Sequence, residues 1–192
     1  MREGACWKRR QVQHMLVELV RNLHNFLELH GITHWVDSGT LIGAVRHRGI
    51  VPYDQDADFG IDVAGYNYLR DTKVEVPAPY VLHVWNSSVN DPGNRDPPLP
   101  IRFINSESGL YVDVFVFIEE VKNGTIYMGP IESGCWGGCV ECPTRNGGGH
   151  FQIPRDWILP VHPCKFNNFS VSCPHDTDKY LAHLFGDYMT PK

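Results

Sequence analysis

Apolar residues recur every three to four positions near the start of the chain: Val12, Met15, Leu16, Leu19, Val20, Leu23, Phe26 and Leu27. That spacing lays them on one face of an α-helix, and Gly31 ends the pattern. The period then shortens. Ile32 to Val36 reads as a strand, Thr40 to Arg46 as a short helix, Arg48-Gly49 as a turn and Ile50 to Ile61 as a strand rich in acid. A short helix is expected over Tyr66 to Arg70 and strands over Tyr80 to Trp85, Ile101 to Ile104 and Leu110 to Ile118. Residues 86–100 are dense in Pro, Asn, Asp and Gly and predict a long loop. Asn123-Gly124 is a hairpin signal leading into Thr125 to Met128. Residues 133–149 predict a Gly/Cys-rich loop. Cys164 to Cys173 predicts a hairpin turning at Asn167-Asn168, and Thr177 to Phe185 a helix capped by Asp176 and ended by Gly186. Helices and strands interleave irregularly, with hairpins. The expectation is an α+β fold, a mixed β-sheet flanked by helices.

The chain has 192 residues, of which 42% are hydrophobic and 20% charged, enough for one domain with one core. It divides into an N-terminal helix over about 9–30, a core over about 32–118 and a Cys-containing part over about 119–191. The net charge of −5 opposes a nucleic-acid or anionic-membrane partner. No apolar run approaches the ~20 residues of a membrane span. Three N-x-[ST] sequons, at Asn86, Asn123 and Asn168, together with six cysteines favour the lumen of the secretory pathway. Met1 to Arg10 lacks the apolar stretch of a signal peptide, which favours the cytoplasm instead. The lumen is the preferred expectation.

The acidic strand changes the picture most. In extended backbone Asp54, Asp56 and Asp58 share one face, with neighbours about 7 Å apart. Two like charges at that distance repel by about 2 kcal/mol at an effective dielectric of 20. Asp is also a poor strand former. A solvated edge strand would tolerate this. The apolar flanks Ile50, Val51, Phe59, Ile61 and Val63 argue instead for a central, partly buried strand. A bound cation would offset the repulsion, and hard carboxylate oxygens suit Mg²⁺, Mn²⁺ or Ca²⁺. Asp113 is a lone acid within the apolar run Leu110 to Ile118. It needs either an arginine partner or a share in the same ion site. The shared site is preferred because it accounts for both anomalies. Ser38-Gly39-Thr40, between a strand and a helix, offers a helix N-terminus to phosphate, and Arg46, His47 and Arg48 follow as cations.

The run from Trp35 through Ser38-Gly39-Thr40 to His47, followed by Ile50 to Asp58, resembles the LicD/fukutin family, which shares the nucleotidyltransferase fold. Asp113 in Val-Asp-Val-Phe matches that family's third carboxylate. Pro154, Trp157, Pro160, Phe166, Tyr180-Leu181 and Phe185 to Met189 carry the resemblance through the tail, so it spans about residues 12–191. It implies transfer of a phosphorylated alcohol, such as ribitol phosphate or phosphocholine, from a CDP-activated donor to a hydroxyl of a glycan or glycoprotein. It implies Mg²⁺ (or Mn²⁺) on Asp56, Asp58 and Asp113, with Asp58 or Asp113 as base and Asp54 behind them. Ser38, Gly39 and Thr40 would meet phosphate, supported by Arg46 and His47. A Golgi-like lumen would suit that chemistry. The alternative is a catalytically inactive glycan- or nucleotide-binding module of the same fold. Cys135, Cys139 and Cys142, with Cys164, Cys173 or His150, are candidates for a structural Zn²⁺ or for disulfides.

Overall fold

The computed structural model describes residues 7–131 and 151–190. The N-terminal amphipathic pattern forms helix α1, Arg9–Leu29, with Leu16, Leu19, Leu23, Phe26 and Leu27 buried along one stripe. Strand β1 (His34–Val36) leads into helix α2 (Ser38–His47) and strand β2 (Ala57–Asp62). Helix α3 (Val63–Asp71) starts at once, because the Asp62 carboxylate accepts the Gly65 N–H at 2.7 Å and caps it. Strands β3 (Tyr80–Val84), β4 (Ile101–Asn105) and the long β5 (Tyr111–Lys122) follow. Asn123 and Gly124 both take positive φ, 51° and 78°, and turn the chain into β6 (Thr125–Pro130). The short β7 (Ile153–Pro154) and α4 (Arg155–Ile158) precede a second hairpin, β8 (His162–Phe166) and β9 (Phe169–Cys173), and helix α5 (Thr177–Phe185) closes the fold.

Seven strands make one sheet in the order β1-β2-β5-β4-β3, with β6 on the far half of β5 and β7 beyond it. Among the described residues only β2 and β5 run parallel; the other pairs are antiparallel. This is the mixed sheet of an α+β fold. Among the described residues β8 and β9 form a separate two-stranded sheet. Helix α1 packs across β4, β5 and β9, with Phe26 stacked on Phe103. In β2, Gly60 faces Trp35 across the ladder, and a β-carbon there would lie 2.3 Å from the indole. The glycine makes room for a fully buried Trp35 beside the strand that carries Asp58.

One expected strand is shorter than its pattern suggested. Pairing begins at Ala57, so Asp54 and Asp56 sit in the turn before β2 and do not share a strand face with Asp58. Pro52 has no N–H to give a ladder, and the Asp54 N–H closes a turn on the Val51 carbonyl at 3.1 Å. Helix α2 opens two residues earlier than expected, because the Asp37 carboxylate caps it by accepting the Ser38 N–H at 2.7 Å. Strand β5 runs through residue 118, where core and Cys-containing part were expected to divide, so one strand belongs to both. Cys135, Cys139, Cys142 and His150 lie outside the described residues.

Candidate active site

Asp58 and Asp113 are direct partners in the parallel ladder between β2 and β5. Partners in register point to the same sheet face, and neighbouring strands lie about 4.8 Å apart. Asp56 adds its charge from the turn before β2. Burial, then the charges of Asp56, Asp37, Asp113 and Asp54, push the Asp58 carboxyl well above the usual carboxylate range. Asp56 is raised by burial and by Asp113, and Asp54 by burial and by Asp56. Five acids therefore feel one another at the head of two central strands.

The backbone of Asp58 is clamped on both sides. Its N–H donates to Thr40 Oγ1 at 2.9 Å, and its carbonyl accepts the Asp37 N–H at 2.9 Å. Asp37 is buried and accepts from the Tyr180 hydroxyl at 2.7 Å as well as from Ser38. Burial outweighs those two hydrogen bonds and raises its pKa to about 6. Tyr180 thus ties α5 to the segment that carries the site.

Asp113 has the arginine partner that its burial demands. Arg102, its register partner on β4, donates from Nε at 2.6 Å and from Nη2 at 2.8 Å, one bond to each carboxylate oxygen. The Arg102 guanidinium also lies 3.7 Å over the Tyr111 ring. Arg95 stands near enough for Arg102 to lower its pKa, after burial, while Asp113 opposes that shift. Of the two answers to the lone acid in β5, the arginine partner is the one in place, and Asp58 lies on the other side of Asp113 in register. Sequence reasoning named neither Arg102 nor Asp37. Arg102 is the one charge in the alternating strand Ile101–Asn105, and that pattern was the available signal.

The expected phosphate contacts divide. Ser38 and Gly39 form the first turn of α2, as needed. A β-carbon on Gly39 would lie 3.1 Å from Asp54 Oδ2, so that carboxylate already lies over the turn. Thr40 is fully buried, and its oxygen is engaged with Asp58. Arg46 and His47 are in the last turn of α2, about 12 Å from Ser38 at 1.5 Å per residue. Arg46 donates to the Tyr188 carbonyl at 3.4 Å instead. Among the described residues the cation paired with these acids is Arg102. Cys164 and Cys173 form a disulfide with their Cα atoms 5.9 Å apart, which removes both as zinc ligands in that state.

An open cavity of about 640 Å³ lies against Asp54 and Asp56, lined also by Trp7, Arg9, Tyr53 and Tyr111; Asp58 and Asp113 do not line it. Its size and its mixture of aromatic, basic and acidic groups suit a nucleotide-bearing ligand.

The sequence matches the family model for the LicD/FKTN/FKRP nucleotidyltransferase domain over residues 31–176. It is 26% identical over 174 residues to the human ribitol 5-phosphate transferase FKRP, covering 89% of this chain and 31% of that protein. It is 37% identical over 49 residues to the lipopolysaccharide cholinephosphotransferase LicD of Haemophilus influenzae, covering 26% of this chain and 18% of that protein. An uncharacterized protein of Rickettsia prowazekii is 50% identical over 46 residues, 24% of this chain and 17% of its own length. The chain spans less than a third of the length of each of these relatives.

Proposed function

We propose, from the fact that this chain belongs to the LicD/FKTN/FKRP nucleotidyltransferase-domain family, that it moves a phosphorylated alcohol from a CDP-activated donor to a glycan hydroxyl. The relatives that transfer ribitol 5-phosphate and phosphocholine support that substrate class. The observation that carries the reading is the register of Asp58 beside Asp113, with Asp56 next to them.

The donor chemistry of Asp56, Asp58 and Asp113 suits a divalent cation, which would have to draw the three carboxylates together, since they do not already stand as one ligand cluster. The acids are hard oxygen ligands; burial first, and then their mutual repulsion, raises Asp58, Asp56 and Asp54, while Arg102 pairs with Asp113. Asp56, Asp58 and Asp113 would hold Mg²⁺ or Mn²⁺. When bound, the ion would neutralise donor diphosphate charge and stabilise the leaving CMP. Arg102 fixes the Asp113 carboxylate and puts a positive charge beside the phosphate path. Asp58 is the base we assign for the acceptor hydroxyl, because both Asp113 oxygens already accept from Arg102. The clamp from Asp37 and Thr40 holds Asp58 in place for that role.

The same arginine favours a second reading, a catalytically inactive binding module in which Asp113 is permanently paired. A CMP-release assay with CDP-ribitol, CDP-choline and CDP-glycerol separates the two. Mg²⁺-dependent release with a glycan acceptor, lost in Asp58→Asn, supports the transferase. Glycan binding that needs neither CDP donor nor metal, with no CMP released, supports the module. We also propose a lumenal, Golgi-like setting. The Cys164–Cys173 disulfide and the exposed positions of all three sequon asparagines, Asn86, Asn123 and Asn168, support it.

A further inference from the structure

We propose that His24, Glu28 and His34 form a second cation site, apart from the acidic one, that takes a borderline transition-metal ion of the Zn²⁺ class and staples α1 to β1. His24 and Glu28 are four residues apart on α1 and share a helix face. His34 is buried on β1 and points back at them. One ligand atom from each of the three lies within 4.8 Å of the others. His34 Nε2 is 2.8 Å from His24 Nδ1 and 3.8 Å from the Glu28 carboxylate.

The ring orientation is the one a metal ligand needs. His34 Nδ1 donates to the Ile32 carbonyl at 2.7 Å, which leaves the Nε2 lone pair aimed at His24 and Glu28. Metal-bound imidazoles commonly fix their other nitrogen in this way. Burial lowers the pKa of His34 to about 4 and also lowers that of His24, so both rings are neutral at neutral pH; without metal His24 Nδ1–H donates to His34 Nε2, and a bound ion would take the place of that proton. Two nitrogens at Zn–N distances of about 2.0–2.1 Å in a tetrahedron stand about 3.3 Å apart. The half-exposed His24 need move only about half an ångström. Two imidazoles and one carboxylate suit Zn²⁺ and disfavour Mg²⁺. The site opens onto a cavity of about 250 Å³ that His162 also lines, which leaves the fourth position to water or to that side chain.

The test is titration of the metal-free full chain with Zn²⁺ by calorimetry and with Co²⁺ by absorption, in the wild type, His24→Ala and Glu28→Gln. The proposal expects one Zn²⁺ equivalent to weaken at least about 100-fold in His24→Ala and about 10-fold in Glu28→Gln. It expects that equivalent to give tetrahedral Co²⁺ bands without thiolate charge transfer, which separates it from any ion held by cysteines. Zn²⁺ should raise the melting temperature of the wild type and not of His24→Ala. The Glu28 side chain is exposed, so Glu28→Gln keeps the test alive if His24→Ala fails to fold. Equal Zn²⁺ affinity and stoichiometry in wild type and Glu28→Gln, or Co²⁺ absorbance carried wholly by thiolates, overturns the proposal.

Discussion

The two halves of β5 carry acids under opposite conditions. In the inner half β2 covers one edge of the strand from Val112 to Phe117 and β4 the other from Tyr111 to Val114, and its one acid, Asp113, is buried. From Ile118 to Lys122 it is half of a hairpin with β6, and Glu119 and Glu120 pair with Arg155 and Lys122 at the surface. In the outer half solvent reaches both Glu119 and Arg155, so that pair costs little and means little. In the inner half one charge requires a bidentate arginine and stands beside further acids that the fold does not neutralise. Buried acids with perturbed ionisation of this kind mark a candidate functional site.

The comparison breaks most sharply on activity. Asp58→Asn, or Asp113→Asn, should lower CMP release at least about 10³-fold, about 4 kcal/mol of transition-state stabilisation, while Glu119→Ala leaves it unchanged. Comparable losses in all three variants would show that the inner acids are not special. Arg102→Met sharpens the same contrast through stability. It leaves Asp113 buried without its partner and should cost about 3 kcal/mol in urea unfolding at neutral pH. Added Mg²⁺ should restore part of that loss in the variant and add less to the wild type. A variant whose unfolding midpoint ignores Mg²⁺ would argue that Asp113 serves Arg102 alone.

Much of this architecture was legible because it is encoded locally. The stripe of α1, the capped helix α5 between Asp176 and Gly186, and the hairpins at Asn123-Gly124 and Asn167-Asn168 each depend on residues within a few positions of one another. The side-by-side acids could be anticipated because an apolar strand with one charge is a conspicuous anomaly. What failed was local in a different sense. The alternation of Asp54, Asp56 and Asp58 looked like a strand, but Pro52 and the turn on Val51 took the backbone out of the ladder. The remaining contacts depend on chain placement that no window contains. Tyr180 reaches Asp37 across 143 residues, and Arg102 meets Asp113 only through the register of β4 on β5. Arg46 and His47 looked adjacent to the glycine turn, yet a helix carries them to its opposite end.

Asp37 extends the contrast to pH. Its pKa is raised to about 6 in the fold against an ordinary value of 3.8, chiefly by burial. A raised acid stabilises the fold most when protonated. Its contribution is full below pH 3.8 and is lost as pH rises through 6. Two units correspond to about 3 kcal/mol, and Asp58 is displaced in the same direction. Buried His34, held near 4, works in the opposite direction over the same range, so the Asp37 contribution is read as a difference: from pH 7 to 5 the metal-free wild type should gain more, or lose less, resistance to urea than Asp37→Asn. A slope identical in the variant would place the effect on other groups. Mg²⁺ should reduce the slope by favouring the ionised form of the neighbouring acids.

The smallest expected effect lies in the outer half of β5. Glu119 accepts from Arg155 Nε at 2.7 Å, almost the distance found between Arg102 and Asp113. Its side chain is 47% exposed and that of Arg155 44%, whereas Asp113 is 10% and Arg102 19%. Length alone would rank the two pairs together; burial separates them. Water already solvates Glu119 and Arg155 when they part, so breaking the pair exposes no uncompensated charge. Glu119→Ala should shift unfolding by less than about 0.5 kcal/mol, and less still in high salt. A loss from Glu119→Ala that matched that from Arg102→Met would mean that β5 has no privileged half, and that distance, not burial, sets the worth of its ion pairs.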